Sequence, residues 1–346
     1  MPKYARQSGL ELLRIVSMFM VLAVHIDGAS LGLPMPSGDC GSLTSRHLWQ
    51  LAVESFAIIG VNCFTMISGY FGIRLRLRSM LMFVGECLFY SVGIYLLFVA
   101  TGLRHFSWTG FADSLMVLSH SDLWYIPAYF GLCLLAPFIN AGCDGMSRHR
   151  LMAVTGVFLL FNVWCGWWWN GQFNPTGYTL IQLVLIYMLG RVVSRFIPVG
   201  THIGLKGVFV SGVCYFIATA CIFMMSLYIP SVKAFAYNSP FVIVATVAFF
   251  VIFLGVRFKS RIVNYLALSA FAVYLVHKNP LIWGNYMRPW VIKVWESCSL
   301  VEFTLYVLAF MVVCYLFVAL IDTLRCRIFD YIETLVNLVA DEVRKC

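Results

Sequence analysis

The chain has 346 residues, of which 61% are hydrophobic and only 11% charged, with a mean hydropathy of +0.87. Soluble domains carry about 25% charged residues, so this composition excludes a water-soluble globular protein and points to lipid as the solvent. The net charge of +9 does not indicate a nucleic-acid partner, because the 24 basic residues fall in short groups between long apolar stretches, as loops between membrane spans do.

A helical span needs about 20 mostly apolar residues, and ten such segments follow one another: 10–29, 48–72, 80–102, 123–141, 151–169, 177–195, 204–226, 238–256, 262–283 and 300–324. The first carries Glu11 and Arg14 and is followed by no small-residue cleavage site, so it reads as a retained span rather than a signal peptide. The interval 104–120, with Arg104 and Trp108, is too polar to span and reads as an interfacial helix or loop. With the N-terminus in the cytoplasm, seventeen Lys and Arg residues fall on the cytoplasmic side and six on the other. That bias predicts ten spans with both ends inside. Beyond the last span, Ile328, Tyr331, Ile332, Leu335, Leu338 and Val339 recur at helical spacing, predicting an amphipathic cytoplasmic helix. The expected organisation is therefore all-α: a polytopic transmembrane helical bundle over 1–326 and a short cytoplasmic helix over 327–346. The 12 cysteines include no CxxC pair and lie mostly inside apolar stretches, so neither a disulfide framework nor a metal site is expected.

Ionisable groups inside lipid cost about 2.5–3.5 kcal/mol each on insertion scales, so each requires a partner or a task. Four stand out: Arg14, His25, Glu54 and Glu86. Arg14 and His25 are 11 positions apart, which at about 100° per residue returns to nearly the same helix face, about 16 Å further along the axis. A ligand held at one and reacting at the other is long, thin and anionic at its cytoplasmic end, as acyl-coenzyme A is. Glu54, in the inward-running second span, is expected near the depth of His25, where it would hold the imidazole in the tautomer that a general base requires. Asp27 is the weaker candidate, because positions i and i+2 point about 200° apart. Glu86 enters at the level of Arg14, which makes an ion pair between them plausible, as it does for Glu11 three residues before Arg14. Arg74, Arg76 and Arg78 serve either as orientation charges or as a receiver for coenzyme A phosphates. The run Trp164, Trp167, Trp168, Trp169 fits an outer interfacial belt first and a sugar-stacking platform second.

Several segments together resemble the integral membrane acyltransferase family 3. They are Leu10-Glu11-Leu12-Leu13-Arg14-Ile15 through His25; Gly60-Val61-Asn62-Cys63-Phe64 and Ile67-Ser68-Gly69-Tyr70-Phe71; Leu123-Trp124-Tyr125-Ile126-Pro127-Ala128 and Ala136-Pro137-Phe138-Ile139-Asn140; and Tyr274-Leu275-Val276-His277. The resemblance implies a multi-pass enzyme of the inner (plasma) membrane that moves an acetyl or similar short acyl group from acyl-CoA, typically acetyl-CoA, to a hydroxyl of a cell-surface polysaccharide or lipid-linked glycan. It places the family's basic residue and histidine at Arg14 and His25. Glu54 then supports His25, while Arg74, Arg76, Arg78 and Glu86 face the donor. Asn62, Ser68, Trp124, Tyr125 and His277 are the expected acceptor contacts, and membrane lipid is the surrounding partner. His25 acts either as a general base or as a nucleophile that carries the acyl group. A transporter or flippase for a lipid-linked sugar is the rival from another class. Its usual marks, paired repeats and helices broken by Gly or Pro at midspan, are not evident in the sequence.

Overall fold

The computed structural model describes residues 7–34, 43–119, 123–169 and 172–343. Lys3, Arg6, Arg344 and Lys345, counted above on the cytoplasmic side, lie outside the described residues, as do the side chains of Leu335, Leu338 and Val339. All regular structure among the described residues is helical.

Helix α1 (Ser8–Val24) winds directly into a π-helical turn at His25–Ala29. The second apolar segment forms two helices, α2 (Ser45–Ala57) and α3 (Gly60–Phe71), separated by a turn at Ile58 and Ile59. There follow α4 (Leu77–Ala100), the short α5 (Trp108–Leu115), α6 (Tyr125–Asp144) and α7 (Arg148–Phe161), the last continuing as a π-helical turn over Asn162–Trp168. Next come α8 (Leu180–Phe196), α9 (Leu205–Tyr228), the one-turn α10 (Ser231–Ala234) and α11 (Pro240–Gly255). The ninth apolar segment is again broken, into α12 (Arg261–Leu266), a 3₁₀ turn at Ala267–Ser269 and α13 (Ala270–His277). After α14 (Pro280–Ile282), a π-helical turn at Trp283–Met287 and α15 (Arg288–Ser297), the chain ends in α16 (Leu300–Val343).

Side chains start several of these helices by accepting an otherwise orphaned backbone N–H: Thr44 for α2, Ser107 for α5, Ser147 for α7, Thr179 for α8 and Ser260 for α12. Among the described residues, seven helical stretches are long and apolar enough to cross a membrane: Ser8–Ala29, Ser45–Phe71, Leu77–Ala100, Tyr125–Asp144, Arg148–Trp168, Leu205–Tyr228 and Leu300–Thr334. The other three expected spans are also helical but shorter, as α8, α11 and the α12–α13 pair. The interval 104–120, expected to be a short helix or a loop, contains the helix α5. The segment after α13, expected in part within the ninth span, is three short helical pieces whose Met287 and Val291 are buried against the bundle. The C-terminal stretch from residue 327 is not set apart from the last span: α16 runs through it unbroken.

Helix α1 is shared by two apolar cores. Ile15, Met18, Val21, Leu22 and Ile26 pack with α4, α13, α15 and α16, whereas Leu10 and Leu13 pack with α2, α3, α8, α9 and α11. Large apolar side chains also cover the outside of the bundle, for example Phe209, Phe216 and Ile217 on α9 and Val313, Phe317 and Leu320 on α16, all exposed. Where no hydrophobic effect separates helix from lipid, small residues admit close crossings. A Cβ at Gly60 would sit 2.8 Å from the Ser17 carbonyl of α1, so glycine is what lets α3 lie against α1 at that level.

Candidate functional site

Arg14 and His25 line one cavity of about 280 Å³. Its walls come from α1, α3, α4, α6, the 3₁₀ break at 267–269, α13 and the segment that carries Tyr237. Non-helical backbone is tolerated at membrane depth where it lines a cavity. Here Ala267 and Leu268, in the interruption between α12 and α13, form part of the wall. Arg14 is half-buried, with Nη1 3.3 Å from the Glu11 carboxylate one turn earlier. His25 is also half-buried and begins the π-helical turn, a local geometry found frequently at functional sites.

His25 Nδ1 lies 2.8 Å from Nε2 of His277, a residue 252 positions away. His277 is fully buried (0% exposed), and its Nδ1 lies 2.6 Å from the Val273 carbonyl oxygen in the preceding turn of α13. Trp283 sets its ring edge-on to His25 at 6.0 Å, and Lys278 places its ammonium 4.1 Å from the centre of the Trp283 ring. Tyr274 lies along the other side, 6.3 Å from the imidazole.

The neighbour on His25 Nδ1 is thus His277 and not Glu54. Glu54 is buried at 3% exposure on the α2 side, where its carboxylate packs beneath Gly28: a Cβ built there would lie 3.4 Å from both carboxylate oxygens. Glu54 thus lies beside the turn that His25 opens, but against Gly28. The π-helical winding presents Gly28 to it and leaves His25 turned toward α13.

Of the expected acceptor contacts, Ser68, Trp124 and Tyr125 line the cavity. Ser68 Oγ is 3.1 Å from the Tyr129 hydroxyl, and the Tyr125 and Tyr129 rings stack at 5.5 Å. Asn62 does not reach the cavity. It is fully buried and donates to the Tyr237 carbonyl at 3.1 Å, joining a polar knot in which Gln182 donates to the same oxygen at 2.8 Å and Asn162 and Asn174 bond to Gln182. That knot holds Tyr237 against Trp124 and Tyr178, with ring centroids 5.9 and 4.7 Å away. His277 is likewise absent from the cavity wall and meets it from behind, through His25 and the Tyr274 ring.

Of the residues expected at the donor, all three arginines are exposed, Arg74 and Arg76 in the segment leading into α4 and Arg78 in its first turn. Arg78 is paired with Glu333 of α16 at 2.5 Å. Glu86 pairs with Arg325 at 3.6 Å rather than with Arg14, because α16 packs against the face of α4 that carries it. Tyr129, Tyr237 and Trp283 have no part in the expectations from sequence, and Tyr274 enters there only as the start of the motif that ends at His277. Tyr129 was reachable, since it lies one turn after Tyr125 on the same helix face; Tyr237 and Trp283 come from distant segments and carried no local signal.

The cavity therefore joins a guanidinium at one level to an imidazole at another, with tyrosine and serine hydroxyls between them. Such a site suits an elongated ligand that is anionic at one end and reacts at a base at the other. Residues 7–321 match the family model described as an acyltransferase domain. Comparison with curated proteins and with solved structures gives no match.

Proposed function

Because the chain belongs to acyltransferase family 3, we propose that it transfers an acetyl or similar short acyl group from acyl-CoA to a hydroxyl of a glycan or glycolipid in the cell envelope. In this reading the ten apolar segments are ten spans of the inner membrane with both ends in the cytoplasm, as the seventeen-to-six split of basic residues supports. The observation that carries the proposal is the single cavity lined by both Arg14 and His25.

The donor threads outward from the cytoplasm. Arg74, Arg76 and Arg78 meet its phosphates, Arg14 orients its arm, and the thioester reaches His25. The acceptor hydroxyl gives its proton to His25 as its oxygen attacks the thioester carbonyl carbon. Collapse of the tetrahedral intermediate breaks the carbon–sulfur bond, and the proton on His25 passes to the departing thiolate. The cycle consumes no net proton and needs no metal. Tyr125, Tyr129 and Ser68 supply hydroxyls that hydrogen-bond the bound chain, and Trp124 offers a ring face to a sugar.

The test is transfer from radiolabelled acetyl-CoA by purified protein in lipid nanodiscs prepared with the host's envelope extract. His25→Ala is expected to abolish transfer and Arg14→Gln to weaken it strongly. Full turnover by both folded variants would overturn the assignment. Binding of acetyl-CoA without transfer to any hydroxyl would favour a carrier.

A further inference from the structure

We infer that His277 is a positioning residue that dictates which nitrogen of His25 carries the proton, a step that rests on the acyltransferase reading above. The hydrogen bonds run inward from a backbone carbonyl. An oxygen of that kind only accepts, so the 2.6 Å approach of His277 Nδ1 to the Val273 carbonyl places a proton on Nδ1. A neutral imidazole carries one N–H, so Nε2 of His277 presents a lone pair. His25 Nδ1, 2.8 Å away, must then be the donor. His25 is left with a bare Nε2, for which no protein partner is found among the described residues, on a side chain that lines the cavity.

The surroundings hold this arrangement in place. His277 is fully buried and absent from the cavity wall, so no substrate competes for its nitrogens. It sits at the C-terminal end of α13, where the Val273 carbonyl one turn back is within reach of the ring. Trp283 and Tyr274 limit rotation of the His25 ring from two sides. A backbone carbonyl or carboxylate that fixes the far nitrogen of a functional histidine is a general device for setting its tautomer. In this chain a second histidine is interposed between the carbonyl and the working ring.

The energetic consequence falls on the reacting state. When His25 takes the acceptor's proton on Nε2 it becomes an imidazolium, and its Nδ1–H bond to His277 becomes charge-assisted, roughly twice as strong as a neutral one. An interaction that strengthens on the way to the transition state raises kcat rather than tightening substrate binding. The relay ends on an uncharged carbonyl, so the imidazolium is stabilised by oriented dipoles and not by a counter-ion.

Two variants and one spectrum decide the matter. His277→Leu keeps approximate bulk and removes the acceptor; kcat is expected to fall about 10²-fold, within the range for general-base catalysis, with the KM for acetyl-CoA little changed. His277→Gln can place an amide oxygen where Nε2 was, and is expected to recover about a tenfold portion of that loss. In wild-type protein labelled with 15N-histidine, the His25 resonances, assigned by their absence from His25→Gln, should show Nδ1 protonated and Nε2 bare at neutral pH. A wild-type His25 protonated on Nε2 would overturn the inference, whether or not the variants fold. So would equal kcat in the Leu and Gln variants, or a loss confined to KM. Persistence of turnover in His25→Ala would instead sink the underlying reading of the site, and the two failures are thereby distinguishable.

Discussion

The carboxylate of Glu86 in α4 lies 3.6 Å from the guanidinium of Arg325 in α16, and the same guanidinium is held by Asp322 at 2.5 Å. Tyr90 donates to the Asp322 carboxylate at 2.9 Å, closing a buried network of two acids, one base and a phenol. Removing one partner of such a network strands the others. Arg325→Met should cost about 3–5 kcal/mol, the usual range for breaking a buried ion pair, and appear as a large fall in melting temperature in detergent. Glu86→Gln should cost less and leave the KM for acetyl-CoA unchanged. A tenfold rise in that KM at unchanged stability would return Glu86 to the donor site.

Helices α3 and α8 cross at two glycines. A Cβ on Gly69 would overlap the Tyr187 carbonyl, and one on Gly190 would lie 2.6 Å from the Met66 carbonyl. Both obstacles are backbone, so neither moves aside cheaply. Gly69→Ala and Gly190→Ala are each expected to reduce the yield of folded protein severely, measured by fluorescence-detected size exclusion. Gly93→Ala, where nothing lies within 4 Å, serves as the silent control.

The polar knot behind Tyr237 couples stability to the cavity wall. Gln182→Leu would leave the Asn162 amide without its acceptor, Asn174 with only the Asn162 oxygen, and the Tyr237 carbonyl with one donor fewer. Each unsatisfied buried group costs about 1–3 kcal/mol, so a distinct drop in melting temperature is expected. Because Tyr237 lines the cavity, transfer per folded molecule should fall as well. Unaltered transfer from a destabilised Gln182→Leu protein would show that the knot serves folding alone.

Arg14 offers a graded test of donor recognition. A hydrogen bond to a charged group is worth about 1.5–3 kcal/mol. Arg14→Gln should therefore weaken acetyl-CoA binding about 10- to 100-fold by calorimetry, with Arg14→Lys between it and wild type. An unchanged affinity in the Gln variant would remove Arg14 from the donor site.

The exposed arginines around the start of α4 should act through charge rather than geometry. Replacing Arg74, Arg76 and Arg78 together with Gln is expected to raise the KM for acetyl-CoA most at low ionic strength, since exposed charges are screened within about 10 Å at 0.1 M salt. A KM independent of salt in both proteins would assign these arginines to orientation alone. Arg78, already paired with Glu333, should contribute least as a single variant.

Much of the architecture follows from composition and period. Every one of the ten apolar segments is helical, because backbone groups in lipid must be satisfied within their own segment. The breaks are a different matter. The interruption at Ile58 and Ile59 and the one at Ala267–Ser269 occur with no proline at or next to them. Nothing local distinguishes those residues from their helical neighbours, so packing against α1 and the cavity decides them. Glu86 shows the same limit for charge: its place inside an apolar segment is legible, but its partner depends on which helix packs against α4.

What the amino-acid order determined by itself was the solvent, the helical state and the placing of Arg14 and His25 along one face of α1, since an 11-residue interval closes about three turns whatever surrounds it. Only the tertiary structure decided what stands behind the imidazole. His277 meets His25 across 252 residues because α13 packs on one side of α1 and α2 on the other. Helical period sets directions within a helix, whereas rotation and depth between helices come from side-chain and glycine contacts spread through the whole bundle.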